Sequence, residues 1–188
     1  RLDFSRPVPR DVVLDCVRLS QQAPTASNTQ RWRWLLVDDP ELKRELGAIY
    51  RDGIPAIRWS MEQTAHDEQT RDVYDAALWL AERLGEVPLL AIPCLAERLP
   101  DGAPLVLAAS AFGSIYPAVW SFQLALRSRG LGSTFTTLHL LYEQRVRDLL
   151  GLPDDDWEQF FHWSEAMIPG ALDLTPEERT AIQGDMHA

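Results

Sequence analysis

The sequence predicts a three-layer α/β or α+β fold around a sheet of four or five strands. Helical and strand periodicities alternate along the 188 residues, and the length suits one ordinary domain. A composition of 46% hydrophobic and 24% charged residues is typical of a globular protein. We therefore treat residues 1–188 as a single domain and take its elements in chain order.

The first three elements have clear local signals. Residues 10–22 carry apolar side chains at helical spacing, and Pro9 stands where a helix start tolerates proline. Residues 32–37 are aromatic and aliphatic and are followed by a turn-prone Asp-Asp-Pro sequence, which predicts a strand. The chain then returns to a helix over residues 40–50.

The middle of the chain is less regular. Residues 51–66 contain proline and mix polar with apolar types, so we expect mostly loop with some helix. We predict a polar-rich helix over residues 68–84. We also predict a buried strand over residues 89–95, which Pro93 makes edge-like or bulged. The predicted inner face of the helix consists of Val73, Ala76, Ala77, Leu80 and Leu84.

Residues 103–126 carry no charge and are long enough to span a bilayer. Polar residues interrupt the stretch, however, and Pro104 and Pro117 disfavour one continuous helix. A central helix buried on most sides, entered through an apolar strand or loop, explains the same residues without a membrane. We expect it to end at Arg129 with Gly130 as its C-cap.

The predicted elements after the apolar helix are followed by an acidic C-terminal segment. Residues 133–138 are β-prone, and residues 143–150 are helical up to Gly151. Residues 151–188 contain nine acids and one base, so they carry −8 of the total charge of −10. This acidity argues against a nucleic-acid partner, since such binding depends on Lys and Arg neutralising phosphates.

Sequence motifs for nucleophilic, P-loop or metal chemistry are absent. The chain has no G-x-S-x-G, G-x-x-x-x-G-K-[ST], H-E-x-x-H or C-x-x-C, and its four histidines lack helical ligand spacing. Residues 130–133, Gly-Leu-Gly-Ser, follow a helix and lack a third glycine, which favours a cap and turn over a dinucleotide loop. Cys16 and Cys94 lie far apart in apolar contexts, which indicates a reduced compartment such as the cytoplasm.

Residues 23–30, Ala-Pro-Thr-Ala-Ser-Asn-Thr-Gln, combine small side chains with amides directly before the first strand. Small residues let the backbone approach the face of a flat heteroaromatic ligand, and amides donate and accept along its polar edge. The alternative is an ordinary polar connection in which Ser27 and Asn28 satisfy the local backbone. Residue content alone leaves both readings open.

Several ordered motifs resemble the FMN-dependent nitroreductase family over about residues 2–153. The most specific are A-P-T-A-S-N-T-Q-x-W at residues 23–32 and G-L-G-S at residues 130–133. Asp-Phe and Pro-Val-Pro near the start, V-P-L-L-A-I-P-C at residues 87–94, the apolar helix before G-L-G-S, and L-G-L-P at residues 150–153 are also similar to family elements. The abundance of Arg over Lys suggests a bacterial source.

The resemblance implies an α+β homodimer with a nitroreductase-like three-layer α/β/α fold, a central mixed or antiparallel sheet and a long buried helix. It also implies FMN at the subunit interface, with hydride passing from NADH or NADPH through flavin N5 to a nitroaromatic, quinone or enone. No catalytic side chain is needed, because the cofactor carries the chemistry. The cofactor-binding residues implied by the resemblance are Pro24, Thr25, Ala26, Ser27, Asn28, Gln30, Phe135, Thr136 and Thr137. Among them, residues 24–28 would line the ring, with Asn28 on its polar edge, and residues 135–137 would approach from the other side.

The sequence also departs from the family. The usual N-terminal phosphate-binding cluster would lie just before Arg1, and the C-terminal segment has only Arg179 where relatives often have a basic pair. These departures favour a non-catalytic member that stores, senses or handles a flavin. A deazaflavin-using relative is a third possibility. The aromatic residues of 157–163 either shape an acceptor pocket or pack, and Arg31 replaces a common proline at the pocket mouth.

Overall fold

The computed structural model describes residues 3–95, 99–100 and 102–152. Within these ranges the chain forms six α-helices and two β-strands. The helices are α1 (Arg10–Ser20), α2 (Pro40–Arg51), α3 (Ile54–Thr64), α4 (Glu68–Arg83), α5 (Leu105–Ser128) and α6 (Glu143–Leu150), and the strands are β1 (Trp32–Val37) and β2 (Leu90–Leu95). The acidic segment, including the aromatic run at residues 157–163, lies outside the described residues.

The two strands pair antiparallel, with Trp32 opposite Leu95 and Val37 opposite Leu90. The α+β class is confirmed, but the predicted four or five strands are not found in the described part of the chain. The strand predicted at residues 133–138 is wrong: residues 131–137 have no regular structure, and a short 3-10 helix occupies Leu138–Tyr142. A β-prone sequence becomes a strand only beside a hydrogen-bonding neighbour, and the described residues provide none there.

Successive residues of β1 face opposite sides of the sheet, and each side packs against different helices. Trp34 and Leu36 face a cluster formed with α1 and α5, whereas Leu35 and Val37 face a cluster formed with α2 and α6. The sheet is therefore a middle layer between two helical layers. This arrangement agrees with the predicted three-layer order.

The helices between α2 and β2 differ from the prediction. Residues 54–64 form the complete helix α3, with Pro55 in the first turn where its missing N–H costs no hydrogen bond. In α4, Val73 is 63% exposed and Ala76 is exposed, so they are not on the inner face. The buried positions are Ala81 at the C-terminal end and Leu84 just beyond it, both of which pack near α2.

Helix α5 differs from the prediction in its continuity and in its burial. It runs without a break through Pro117, and it is buried along one face rather than on most sides. Its length and apolar composition would suffice to cross a membrane, and 28% of its most apolar window is buried. Four aromatic or leucine side chains, spaced four residues apart, are between 40% and 62% exposed and form an outward stripe. This α5 stripe consists of Phe112, Tyr116, Trp120 and Leu124.

Close contact between α2 and the turn Leu84–Glu86 depends on Gly47. A Cβ at this position would lie 2.6 Å from the backbone nitrogen of Gly85 and 2.9 Å from its Cα. We expect Gly47→Ala to lower the free energy of unfolding by about 1–3 kcal/mol, as overpacking against backbone typically does. Urea denaturation of the purified protein measures the change.

The control for this variant is Ala48→Ser, at the adjacent exposed position of the same helix. We expect it to change the free energy of unfolding by no more than about 0.5 kcal/mol. Equal denaturation midpoints for Gly47→Ala and wild type would contradict the close approach of the two backbones.

Candidate functional site

The small-residue loop between α1 and β1 has an unusual backbone. Residues Ala26–Asn28 form one 3-10 turn, and Ser27, Asn28 and Gln30 have φ values of 53°, 54° and 51°. These values lie in the left-handed region, which residues other than glycine rarely occupy. Asn tolerates it, but three such residues in four positions require support from the surrounding structure.

Side-chain hydrogen bonds provide that support. The Gln30 Nε2 group donates to Asn28 Oδ1 at 2.8 Å and to Thr25 Oγ1 at 3.3 Å. The backbone N–H of Ala26 donates to Ser114 Oγ of α5 at 2.9 Å, and Ser114 donates in turn to the Ser110 carbonyl at 2.7 Å. The loop is thus attached to α5. Because Asn28 Oδ1 accepts from Gln30, the NH2 group of the Asn28 amide remains to donate to a ligand.

The predicted ligand-facing residues of this loop lie at the surface. Pro24, Ala26, Ser27 and Asn28 are exposed, whereas Thr25 is half-buried. A shallow surface with small side chains and a fixed amide suits a planar ring laid against it. It does not by itself enclose such a ring.

The second predicted segment follows the end of α5. Gly130, at φ 77°, terminates the helix, and the Leu131 N–H donates to the Leu126 carbonyl at 3.0 Å, so the predicted C-cap is confirmed. Beyond the cap, the Phe135 ring lies 5.9 Å from the Tyr116 ring in an edge-on arrangement. The Thr136 hydroxyl is hydrogen-bonded to the Tyr50 hydroxyl.

Phe135, Thr136 and Thr137 line a cavity of about 1020 Å³ between α5, β2 and α6. Its lining is mainly apolar, with arginine, histidine and acidic side chains interspersed. Burial lowers the pKa of His139 in this lining, although Glu143 opposes the shift, so the imidazole is neutral at pH 7. The cavity can accept a large apolar body with polar edges.

The structure does not bring the two predicted segments into one cavity within a single chain. None of residues 23–30 lines the cavity that contains Phe135 and Thr136. The loop is attached to α5 at Ser114, whereas the second segment contacts α5 at Tyr116. Two residues correspond to about a 200° rotation around a helix, so the segments lie on different sides of α5.

The described residues contain neither a reactive cysteine nor a cluster of metal ligands. Both cysteines are free, and burial raises the pKa of Cys94 to about 12 and also raises the pKa of Cys16. Neither residue supplies a thiolate at neutral pH. In residues 3–95, 99–100 and 102–152, no group of three or more His, Cys, Asp or Glu side chains is arranged to hold a metal ion.

Sequence reasoning missed three residues that position the candidate site. Ser114 holds the loop, Tyr116 contacts Phe135, and Tyr50 contacts Thr136. Ser114 and Tyr116 lie within an apolar helix, and Tyr50 lies in the last turn of a regular amphipathic helix. No local pattern marks them, because their partners lie far away in the chain.

The fold is shared with solved flavoproteins. A BluB-like flavoprotein from Clostridium difficile 630 aligns with a TM-score of 0.56 and 18% identity, covering 78% of this chain and 73% of that chain. An oxidised iodotyrosine deiodinase bound to FMN and 3-iodo-L-tyrosine aligns with a TM-score of 0.59 and 22% identity, covering 82% of this chain and 76% of that chain. The profile of the Nitroreductase family matches residues 4–162, and the chain belongs to that family.

This match confirms the resemblance drawn from the motifs at residues 23–32 and 130–133. The nitroreductase-like fold is likewise confirmed by the two structures. The cofactor-binding roles of the nine predicted residues remain predictions.

Proposed function

We propose that this protein is an FMN-dependent oxidoreductase that takes hydride from NADH or NADPH and passes it to a small organic acceptor. Membership of the Nitroreductase family supports a flavin-dependent enzyme, and the similar iodotyrosine deiodinase structure is bound to FMN. The observation that carries the proposal is the strained loop held on α5, which presents small side chains and the Asn28 amide at the surface.

The residues of the loop suit a planar ring. Ala26 offers only a methyl group, so a ring can approach the backbone, and Asn28 can donate to an acceptor atom on the ring edge. Thr136 can supply a hydroxyl on the other side. Bound flavin supplies the hydride-transfer chemistry, and the chain's residues bind and orient it.

We further propose that the active form is a homodimer. The loop and the Phe135 segment lie on different sides of α5, so two copies are needed to bring one loop against the other copy's segment. The α5 stripe supports this arrangement, because contiguous exposed apolar surface is typical of an obligate dimer interface. The same stripe then needs no membrane, and two free cysteines fit a cytoplasmic protein.

The uneven charge of the chain favours one other function. Nine acids and a single base in residues 151–188 offer little for the flavin phosphate. A charge-assisted hydrogen bond contributes about 1.5–3 kcal/mol, so losing two weakens FMN by roughly 10²- to 10⁴-fold. A non-catalytic protein that stores, senses or hands over flavin is therefore the second candidate.

Flavin uptake and reduction test these proposals. The purified protein is mixed with FMN, separated from free flavin, and titrated anaerobically with NADH or NADPH while its visible absorbance is recorded. We expect a yellow protein that at least one nicotinamide bleaches and that 1,4-benzoquinone or 4-nitrobenzoate recolours. Reduced deazaflavin, added as an alternative donor, tests the third possibility.

Each outcome of this experiment separates the candidates. Bound FMN that neither nicotinamide nor reduced deazaflavin bleaches would favour the non-catalytic protein. Reduction by deazaflavin alone would favour the deazaflavin-using relative. A purified protein that takes up no FMN would overturn the proposed function.

A further inference from the structure

The two residues after α2 contact the part of the chain that directly follows Thr136 and Thr137. The Tyr142 hydroxyl donates to the Asp52 carbonyl at 2.8 Å, and Arg145 Nη1 lies 2.7 Å from Asp52 Oδ2. A Cβ at Gly53 would lie 2.7 Å from Leu138 Cδ2, which shows how closely the two segments approach. Residues 131–137 have no regular structure, and these contacts hold the chain that directly follows them.

The hydrogen bond between Tyr50 and Thr136 has a preferred direction. Tyr50 is only 4% exposed and packs with Ala81 and Leu84, and Thr136 is the one hydrogen-bond partner of its hydroxyl found in the described part of the chain. If Thr136 donated, the phenol hydrogen of this 4% exposed residue would have no acceptor among the described residues, which is unfavourable. If Tyr50 donates, the half-buried Thr136 keeps its own hydrogen for the cavity.

Burial also keeps the phenol protonated. It raises the pKa of Tyr50 above its ordinary value of 10, and the hydrogen bond between Tyr50 and Thr136 only partly opposes the shift. The donor is therefore present throughout the neutral pH range. Both hydroxyl-bearing residues line the cavity of about 1020 Å³.

We propose that Tyr50 is a positioning residue: it donates to Thr136 and thereby directs the Thr136 hydroxyl hydrogen into the cavity, toward an acceptor atom of the bound flavin. This inference rests on the proposed function. It specifies that the ring edge beside Thr136 presents a nitrogen or carbonyl oxygen acceptor. It also assigns a role to Tyr50, although no residue of α2 was predicted to contact the flavin.

Tyr50→Phe tests this role, because it removes the donor and keeps the ring in the core. We expect the Kd for FMN to rise about 5- to 10-fold, as the loss of one oriented hydrogen bond does. The absorption maximum of the bound flavin should also shift, since the hydroxyl facing the ring is no longer held. Fluorescence titration and a visible spectrum measure both.

Tyr74→Phe is the matched control. The Tyr74 hydroxyl bonds to Ser60 and Thr64 at 2.7 Å, between α3 and α4, and Tyr74 does not line the cavity. We expect this variant to lose hydrogen bonds between a phenol and other side-chain hydroxyls without changing the Kd for FMN or the flavin spectrum. A general loosening of the fold would instead affect both tyrosine variants.

A double-mutant cycle with Thr136→Val completes the test. If Tyr50 acts through Thr136, Tyr50→Phe should change the Kd by less than about 2-fold in the Thr136→Val background. Unchanged FMN binding by Tyr50→Phe alone, or independent effects of the two substitutions, would overturn the positioning role and leave the proposed function intact. Failure of the wild-type chain to bind FMN would overturn the proposed function first.

Discussion

Trp120→Glu is expected to produce a folded monomer that no longer takes up FMN. Trp120 is 62% exposed at the centre of the α5 stripe, so the substitution creates no cavity in the single chain. In a dimer that buries this stripe, the new carboxylate would be desolvated without a partner and would oppose its symmetry mate. Each copy would then lack the second half of the proposed flavin site.

Light scattering after size-exclusion chromatography measures the first effect. We expect wild type at twice the chain mass of 21.3 kDa and Trp120→Glu at the single mass, with the far-UV spectrum unchanged. Visible absorbance after mixing with FMN measures the second effect.

The control for Trp120→Glu is Val73→Glu on α4. Val73 is 63% exposed, close to the exposure of Trp120, but it lies outside the α5 stripe. This variant should remain a dimer and bind FMN like wild type. A wild-type monomer that binds FMN, or a Trp120→Glu dimer, would refute the dimer proposal.

Asn28→Gly is expected to weaken FMN binding by about 10-fold, and Asn28→Asp by about 100-fold. Glycine accepts the φ of 54° without strain, so the first variant removes the amide while keeping the loop conformation. Aspartate keeps an oxygen for Gln30 but replaces the NH2 donor with a charged acceptor. It would therefore repel an acceptor atom on the ring edge.

Fluorescence titration gives the affinities, and thermal melting without FMN checks the fold. Thr29→Ala is the control, because the Thr29 hydroxyl donates only to the Ala26 carbonyl within the loop, at 3.0 Å. It should bind FMN within about 2-fold of wild type. Equal affinities for the Gly and Asp variants would refute an amide that donates to the ring.

Elements with local start and stop signals were predicted closely from the sequence. Three boundaries are confirmed: the start of α1 after Pro9, the start of α2 at Asp39-Pro40, and the end of α6 before Gly151. Each of these residues acts on the backbone of its immediate neighbours. The Asp39 carboxylate accepts from the Leu42 N–H at 2.7 Å, and Gly151 adopts φ 62°. Such signals need no knowledge of distant residues.

Other elements depended on distant contacts and were predicted poorly. Periodicity identified only part of the buried side of α4. Leu80 and Leu84 pack into the core as predicted, but Val73 and Ala76 are exposed, and the prediction omitted Ala81, which packs with Tyr50 of α2. The strand predicted at residues 133–138 is wrong because a strand requires a paired neighbour, which the sequence pattern of the segment itself does not reveal. Pro117 does not interrupt α5, whose packing against α1 and the sheet maintains the helix.

By itself, the sequence determined the family, the order of most helices and strands, and the two segments proposed to contact the flavin. Those features depend on short motifs and on backbone preferences that act over a few residues. Only the tertiary structure decided that Ser114 and Tyr50 hold these segments, and that the segments lie on different sides of α5. The reason is chain separation: the two hydrogen bonds join residues 88 and 86 positions apart, and no local pattern records which distant side chains folding brings together.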